Sequence, residues 1–107
     1  MRQARWTEKG VAIEDVMPPP LAADWVRLSV AACGICGTDL HLWKRELAAP
    51  VGVAPGHEIV GTPLDGPRGL AEGLYAVEPM KVCGVCDFCV SGRRHLCTRL
   101  EIIGVTM

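Results

Sequence analysis

Residues Cys83–Cys97 read CGVCDFCVSGRRHLC, which places four of the chain's six cysteines at the spacing C-x2-C-x2-C-x7-C. The overlapping pairs Cys83/Cys86 and Cys86/Cys89 let three thiolates turn toward one point from a single tight turn. Gly84 eases that bend, and Gly92 allows the return that brings Cys97 back. Four soft donors with none to spare suit a closed tetrahedral zinc site with sulfurs about 2.3 Å from the metal, whereas catalytic zinc keeps an open position. A chance grouping of free or buried cysteines is disfavoured by the paired spacing. An iron–sulfur cluster is disfavoured because the ferredoxin run continues x3-C-P, and here seven residues separate Cys89 from Cys97, with Thr98 next. A DNA-binding finger would bring a basic recognition helix, and none accompanies these residues. Structural zinc over residues 83–97 is the expectation.

Working outward, 107 residues make one small domain at most, and its half-hydrophobic, 21% charged composition is that of a folded protein. A domain this size gains from a metal or a larger partner domain. The net charge of −1 gives no electrostatic case for nucleic acid or an anionic membrane, and the basic pair Arg93-Arg94 is too little to change that. No apolar h-region follows MRQARWTEKG, and no apolar run is long enough to span a bilayer. The expected compartment is therefore the reducing cytoplasm, where clustered cysteines serve as metal ligands or redox groups rather than disulfides.

The pattern is mainly β. Ala12 to Val16 alternates loosely before Pro18-Pro19-Pro20, which enforces an extended connection. Trp25 to Ala32 alternates Val26, Leu28 and Val30 with Arg27 and Ser29, as a half-buried strand does. Thr38 or Asp39 caps a short helix over 40–47, with Lys44 and Arg45 near its C-terminal end. Residues 50–56 read as a loop, 57–64 as a strand, Gly66-Pro67-Arg68-Gly69 as a turn, and 74–79 and 100–105 as further strands. No phosphate-cradling glycine motif occurs.

A second constellation surrounds CGICGTDLH. Cys33 and Cys36 form another C-x2-C pair, but a thioredoxin-like redox reading needs a βαβ context that this β-rich sequence does not offer. Sharing this pair with the lobe is disfavoured, since the lobe has its own four thiolates. His57 follows Cys36 by 21 residues, with Glu58 beside it. A thiolate and an imidazole are zinc ligands, and a carboxylate could be a third. Thr38, Asp39 and His41 add a hydroxyl, an acid and an imidazole. Such a set suits a Lewis-acid metal that binds an oxygen, with a path for its proton. Asp39 could fix the tautomer of His57. Taken singly, His57 reads as a hydrogen-bonded structural histidine and His41 as a surface residue; only their clustering argues otherwise.

CGICGTDLH, GHEIVG and VCGVCDFCVSGRRHLC, in that order, resemble the N-terminal catalytic domain of the zinc-dependent medium-chain dehydrogenases, the superfamily of alcohol, polyol, threonine and butanediol dehydrogenases. The resemblance covers essentially all of residues 1–107 and implies a GroES-like, partly open β-barrel with short helices and a cysteine-rich zinc lobe. It implies Cys36 and His57 as ligands of a catalytic zinc, and Glu58 as a glutamate that can approach or ligate it. Cys33 matches no ligand. It further implies Thr38 as the hydroxyl that bonds the substrate alcohol, His41 as a proton-relay residue and Asp39 as the carboxylate behind the ligands. Cys83, Cys86, Cys89 and Cys97 match the structural zinc lobe. Gly37 and Trp43 are similar to the polyol and butanediol branch.

The implied reaction oxidises a primary or secondary alcohol or polyol through a zinc alkoxide, with hydride passing to NAD or NADP. A Rossmann domain and a remaining zinc ligand would lie beyond Met107, so these residues alone are expected to show no turnover, and the full-length protein is expected to be a homo-oligomer. The stretch between GHEIVG and AVEP departs from the family pattern, being short and reading EGLYAVEP, so a hairpin there is expected to be trimmed. The alternative is a stand-alone zinc-binding structural or interaction module without dehydrogenase activity, which would present a closed surface.

Overall fold

The computed structural model describes residues 1–48, 50–65 and 70–107, and within them the fold is mainly β with short helices. The turn expected at Gly66–Gly69 lies outside the described residues. Strands β1 (Arg2–Thr7) and β2 (Gly10–Asp15) form a hairpin in which Arg5 pairs with Ala12 and Trp6 with Val11. Strands β3 (Arg27–Gly34), β4 (Glu58–Asp65) and β5 (Tyr75–Ala76) make an antiparallel sheet in that order, and β6 (Met80–Lys81) pairs with β7 (Glu101–Ile102). These separate ladders realise the GroES-like arrangement with the sheet left partly open. No helix among the described residues is long and apolar enough to cross a membrane.

Several expected elements move. The alternation predicts Val30 inward-facing, yet it is 57% exposed. Every residue of β3 from Ser29 to Gly34 is exposed, so neither face of that stretch is covered, and the ladder shifts register just after Val30. The helix α1 spans Gly37–Trp43, starting before Thr38 and Asp39 rather than after them, and its N-cap is Cys36. Asp39 sits at the third helical position, where its carboxylate accepts the Cys36 N–H at 2.9 Å and satisfies a donor at the helix start. The helix also ends early: Lys44 caps it, and Arg45 adopts a left-handed φ of 61° that carries the chain out of the helix.

The strand expected at 74–79 pairs only over Tyr75–Ala76, with Val77 N–H adding one bond to the Ile59 carbonyl at 2.9 Å. The strand expected at 100–105 stops at Ile102. From there Thr106 Oγ1 accepts the Ile102 N–H at 2.7 Å, and Thr106 N–H donates to the Ile102 carbonyl at 2.8 Å, closing a turn through Gly104.

The core is small. Trp6 on β1 and Leu42 on α1, each 3% exposed, line one groove, and Cys97 at 7% is the other buried apolar side chain among the described residues. With so little apolar surface buried, each contributor carries a large share. Leu42→Ala is expected to cost about 2–5 kcal/mol of unfolding free energy, read as a lower urea midpoint, and an unshifted midpoint would mean α1 is not packed as described. The same hairpin fixes the loop ahead of β4. Trp6 N–H donates to the Val53 carbonyl and Gly52 N–H to the Trp6 carbonyl, both at 2.9 Å, while the Arg5 guanidinium donates to the Gly52 carbonyl.

Candidate metal centres

The lobe is built by a turn, one short helix and a tight return. Gly84 takes a φ of +74°, a region that costs a side-chain-bearing residue dearly, and α2 (Asp87–Val90) follows with Cys86 as its N-cap. A 3-10 turn over Arg94–Leu96 then delivers Cys97, with the Arg93 guanidinium 5.2 Å above the Phe88 ring. The result gathers Cys83, Cys86, Cys89 and Cys97 so that their sulfurs all lie within 4.8 Å of one another. All six cysteines are free thiols.

Cys83 Sγ and Cys89 Sγ are 3.9 Å apart. Sulfurs on a tetrahedral zinc, each about 2.3 Å from it, are separated by about 3.8 Å. The backbone is also arranged for thiolates. Cys83 N–H and Arg99 N–H both point at Cys97 Sγ at 3.3 Å, and Cys86 N–H points at Cys83 Sγ at 3.4 Å. The N–H groups of Val85 and Cys86 hold the Cys83 thiol at about 5, far below its ordinary 9.0. Those of Thr98 and Cys89 lower Cys86, whereas burial, followed by the adjacent Cys86 thiol, pushes Cys89 up to about 12. Four sulfurs gathered this closely form a soft donor set that fits a divalent ion such as zinc.

The second centre lies at one end of the β3–β4 ladder. Cys36 follows β3 and His57 immediately precedes β4, so antiparallel pairing, with Gly34 opposite Glu58, brings them side by side. Cys36 Sγ, a His57 ring nitrogen and a Glu58 carboxylate oxygen lie within 4.8 Å of one another. Thr38 Oγ1 is 3.8 Å from Cys36 Sγ. Asp39 Oδ1 faces His57 Nδ1 across 3.8 Å; both side chains are nearly buried, and each of these two atoms lacks a hydrogen-bond partner. That spacing is beyond a formed bond, and a small closure would satisfy both atoms at once. With Nδ1 turned to Asp39, Nε2 is the free nitrogen. One soft, one intermediate and one hard donor, with space beside them, suit zinc in an open site.

His41 stands apart from this cluster. Its ring is exposed, and Nδ1 meets the Glu46 carboxylate one turn further along. Cys33 also stays outside the donor set, its sulfur lying under Gly56, where an added Cβ would come within 2.6 Å of it. A mostly apolar groove of about 400 Å3 reaches Gly34 and Asp39, walled by Trp6, Val11, Ile35, Leu40 and Trp43. Sequence reasoning missed the backbone N–H donors of Val85, Thr98 and Arg99, which no side-chain pattern announces. It also missed the room that Gly34 leaves for Glu58, although the glycine itself is plain in CGIC.

Comparison with known proteins agrees with this geometry. Residues 22–106 match the family described as the alcohol dehydrogenase GroES-like domain. The L-threonine 3-dehydrogenase of Paraburkholderia phytofirmans is 36% identical over 104 residues, covering 90% of this chain and 30% of that protein. A candidate zinc-binding dehydrogenase of Sinorhizobium meliloti 1021, solved bound to NADP, superposes with a TM-score of 0.86 at 33% identity over 97% of this chain and 32% of that one. Galactitol-1-phosphate dehydrogenase of Escherichia coli gives a TM-score of 0.82 at 26% identity over 99% of this chain and 32% of that one. The chain thus spans about a third of the length of the relatives it matches. On its motifs, fold and relatives, it belongs to the alcohol dehydrogenase GroES-like domain family, within the zinc-dependent medium-chain dehydrogenase/reductase superfamily.

Proposed function

We propose that this chain supplies the metal-binding part of a zinc- and NAD(P)-dependent alcohol or polyol dehydrogenase, with the nucleotide held by residues outside it. The observation that carries the reading is the gathering of Cys36, His57 and Glu58 donors within 4.8 Å, in addition to a complete four-sulfur lobe. A zinc ion there would supply Lewis-acid polarisation of the substrate hydroxyl.

The chain's own residues do the rest. Cys36, held by the start of α1, and His57, held by the loop strapped to β1, fix two donor directions. Asp39 secures the Cys36 backbone and, on closing its 3.8 Å gap to His57 Nδ1, orients that ring. In this reading Thr38 Oγ1, beside Cys36 Sγ, takes the proton of the substrate hydroxyl, and the exposed His41, partnered by Glu46, passes it to solvent. The apolar groove that reaches Gly34 and Asp39 supplies an apolar surface for the carbon skeleton in this reading.

The threonine and galactitol 1-phosphate specificities of the relatives agree with an alcohol or polyol substrate. A closed stand-alone module is disfavoured by Ile35, 79% exposed, and Trp43, 61% exposed, beside the groove.

Metal counting tests the reading. Zinc-replete protein is expected to hold two ions per chain, one removed by mild chelation and one released only on unfolding. Cys36→Ser is expected to lose the labile ion and keep the fold, and Cys33→Ser to keep both. A single ion per chain, or loss of the labile ion with Cys33→Ser, would overturn the assignment.

A further inference from the structure

We infer that Gly34 is the positioning residue for Glu58: its bare Cα on β3 leaves the space in which the carboxylate lies back over the ladder to join Cys36 and His57. The two residues are paired at the last rung of β3–β4. An added Cβ at position 34 would overlap Glu58 Oε2 and stand 3.1 Å from its Cβ and 3.3 Å from its Cδ. The backbone of Gly34 does not have a positive φ, so room, not conformation, is what the glycine provides there. Among the described residues no cationic side chain pairs with Glu58, so no ion pair holds the carboxylate in place. Glu58 is otherwise exposed and free to swing into solvent. Without the hollow at Gly34 the third donor leaves the cluster, and the centre keeps a thiolate and an imidazole only. The inference rests on the second metal centre proposed above.

The experiment loads the lobe with zinc and titrates the second centre of the chain with Co(II), reading affinity by chelator competition and coordination by visible absorption. Gly34→Ala is expected to weaken Co(II) binding about 10–100-fold, the range typical of residues that orient a ligand. Its spectrum is expected to match that of Glu58→Ala, with lobe zinc unchanged at one per chain. Adding Gly34→Ala to Glu58→Gly is expected to cost nothing further beyond Glu58→Gly alone, since every Glu58 atom the methyl meets is then gone. Wild-type affinity and spectrum in Gly34→Ala, or losses that multiply in the double variant, would overturn the inference while leaving the metal reading intact. Should Gly34→Ala fail to fold, its combination with Glu58→Gly decides: that double variant folds as Glu58→Gly does if Glu58 is what the methyl strikes, and its failure would overturn the inference. A wild-type chain that binds no second ion would overturn the metal reading itself, and this inference with it.

Discussion

Cys97→Ser is expected to strip the lobe of its zinc and unfold residues 83–97. Cys97 is the buried sulfur of the four, and the one on which the N–H groups of Cys83 and Arg99 both converge. A hydroxyl there is a poor soft donor, and the three remaining thiols cannot close a tetrahedron. Structural zinc in small peptides contributes an apparent ~10–16 kcal/mol of binding energy, more than a core this small can replace. Zinc content should fall by one ion per chain, and trypsin should cut at Arg93 and Arg94 once the Phe88 stack and the 3-10 turn are released. A variant that keeps a tightly held ion and resists trypsin would show that the lobe does not depend on the fourth sulfur.

The second large effect is expected from Gly104→Ala. Gly104 adopts a φ of +74°, and a Cβ there would overlap the Gly56 carbonyl oxygen and stand 2.5 Å from its carbon. The left-handed backbone alone costs alanine on the order of 1–3 kcal/mol. The overlap adds to this because its target is main chain and cannot rotate away. Gly56 directly precedes His57, so the strain reaches the second centre, and a lower urea midpoint should be accompanied by weaker binding of the labile ion. Gly104→Asn separates the causes: asparagine tolerates a left-handed φ but carries the same Cβ. It should be nearly as harmful, and a wild-type midpoint would show that the close approach to Gly56 is not what matters.

Both centres were readable from short motifs because metal ligation imposes residue type and spacing at once. CGVCDFCVSGRRHLC needs only local chain geometry to bring its sulfurs together, and the structure does so. The gathering of Cys36 with His57 across 21 residues is written in no local period; resemblance suggested it, and the β3–β4 ladder accomplishes it. Element boundaries were harder to read. Nothing in the alternation of Leu28 and Val30 betrays the bulge before Ala32, since a bulge is set by the partner strand. The start of α1 at Cys36 depends on Asp39 reaching back, a contact that favours a cysteine cap over the stronger intrinsic cappers that follow it. The strand expected through Val105 yields to a turn because Thr106 captures the Ile102 N–H.

The two clusters differ in what brings their donors together, a local turn in one and a strand ladder in the other. The four thiols between Cys83 and Cys97 can meet around an ion while the rest of the polypeptide is still a coil, because closing so short a segment demands little entropy. Cys36 and His57 come into register only after two distant strands have zipped. The four-sulfur cluster can thus be drawn together by its own short segment, whereas the mixed-donor centre exists only where the β3–β4 ladder is intact, so whatever loosens that ladder is felt first at Cys36 and His57.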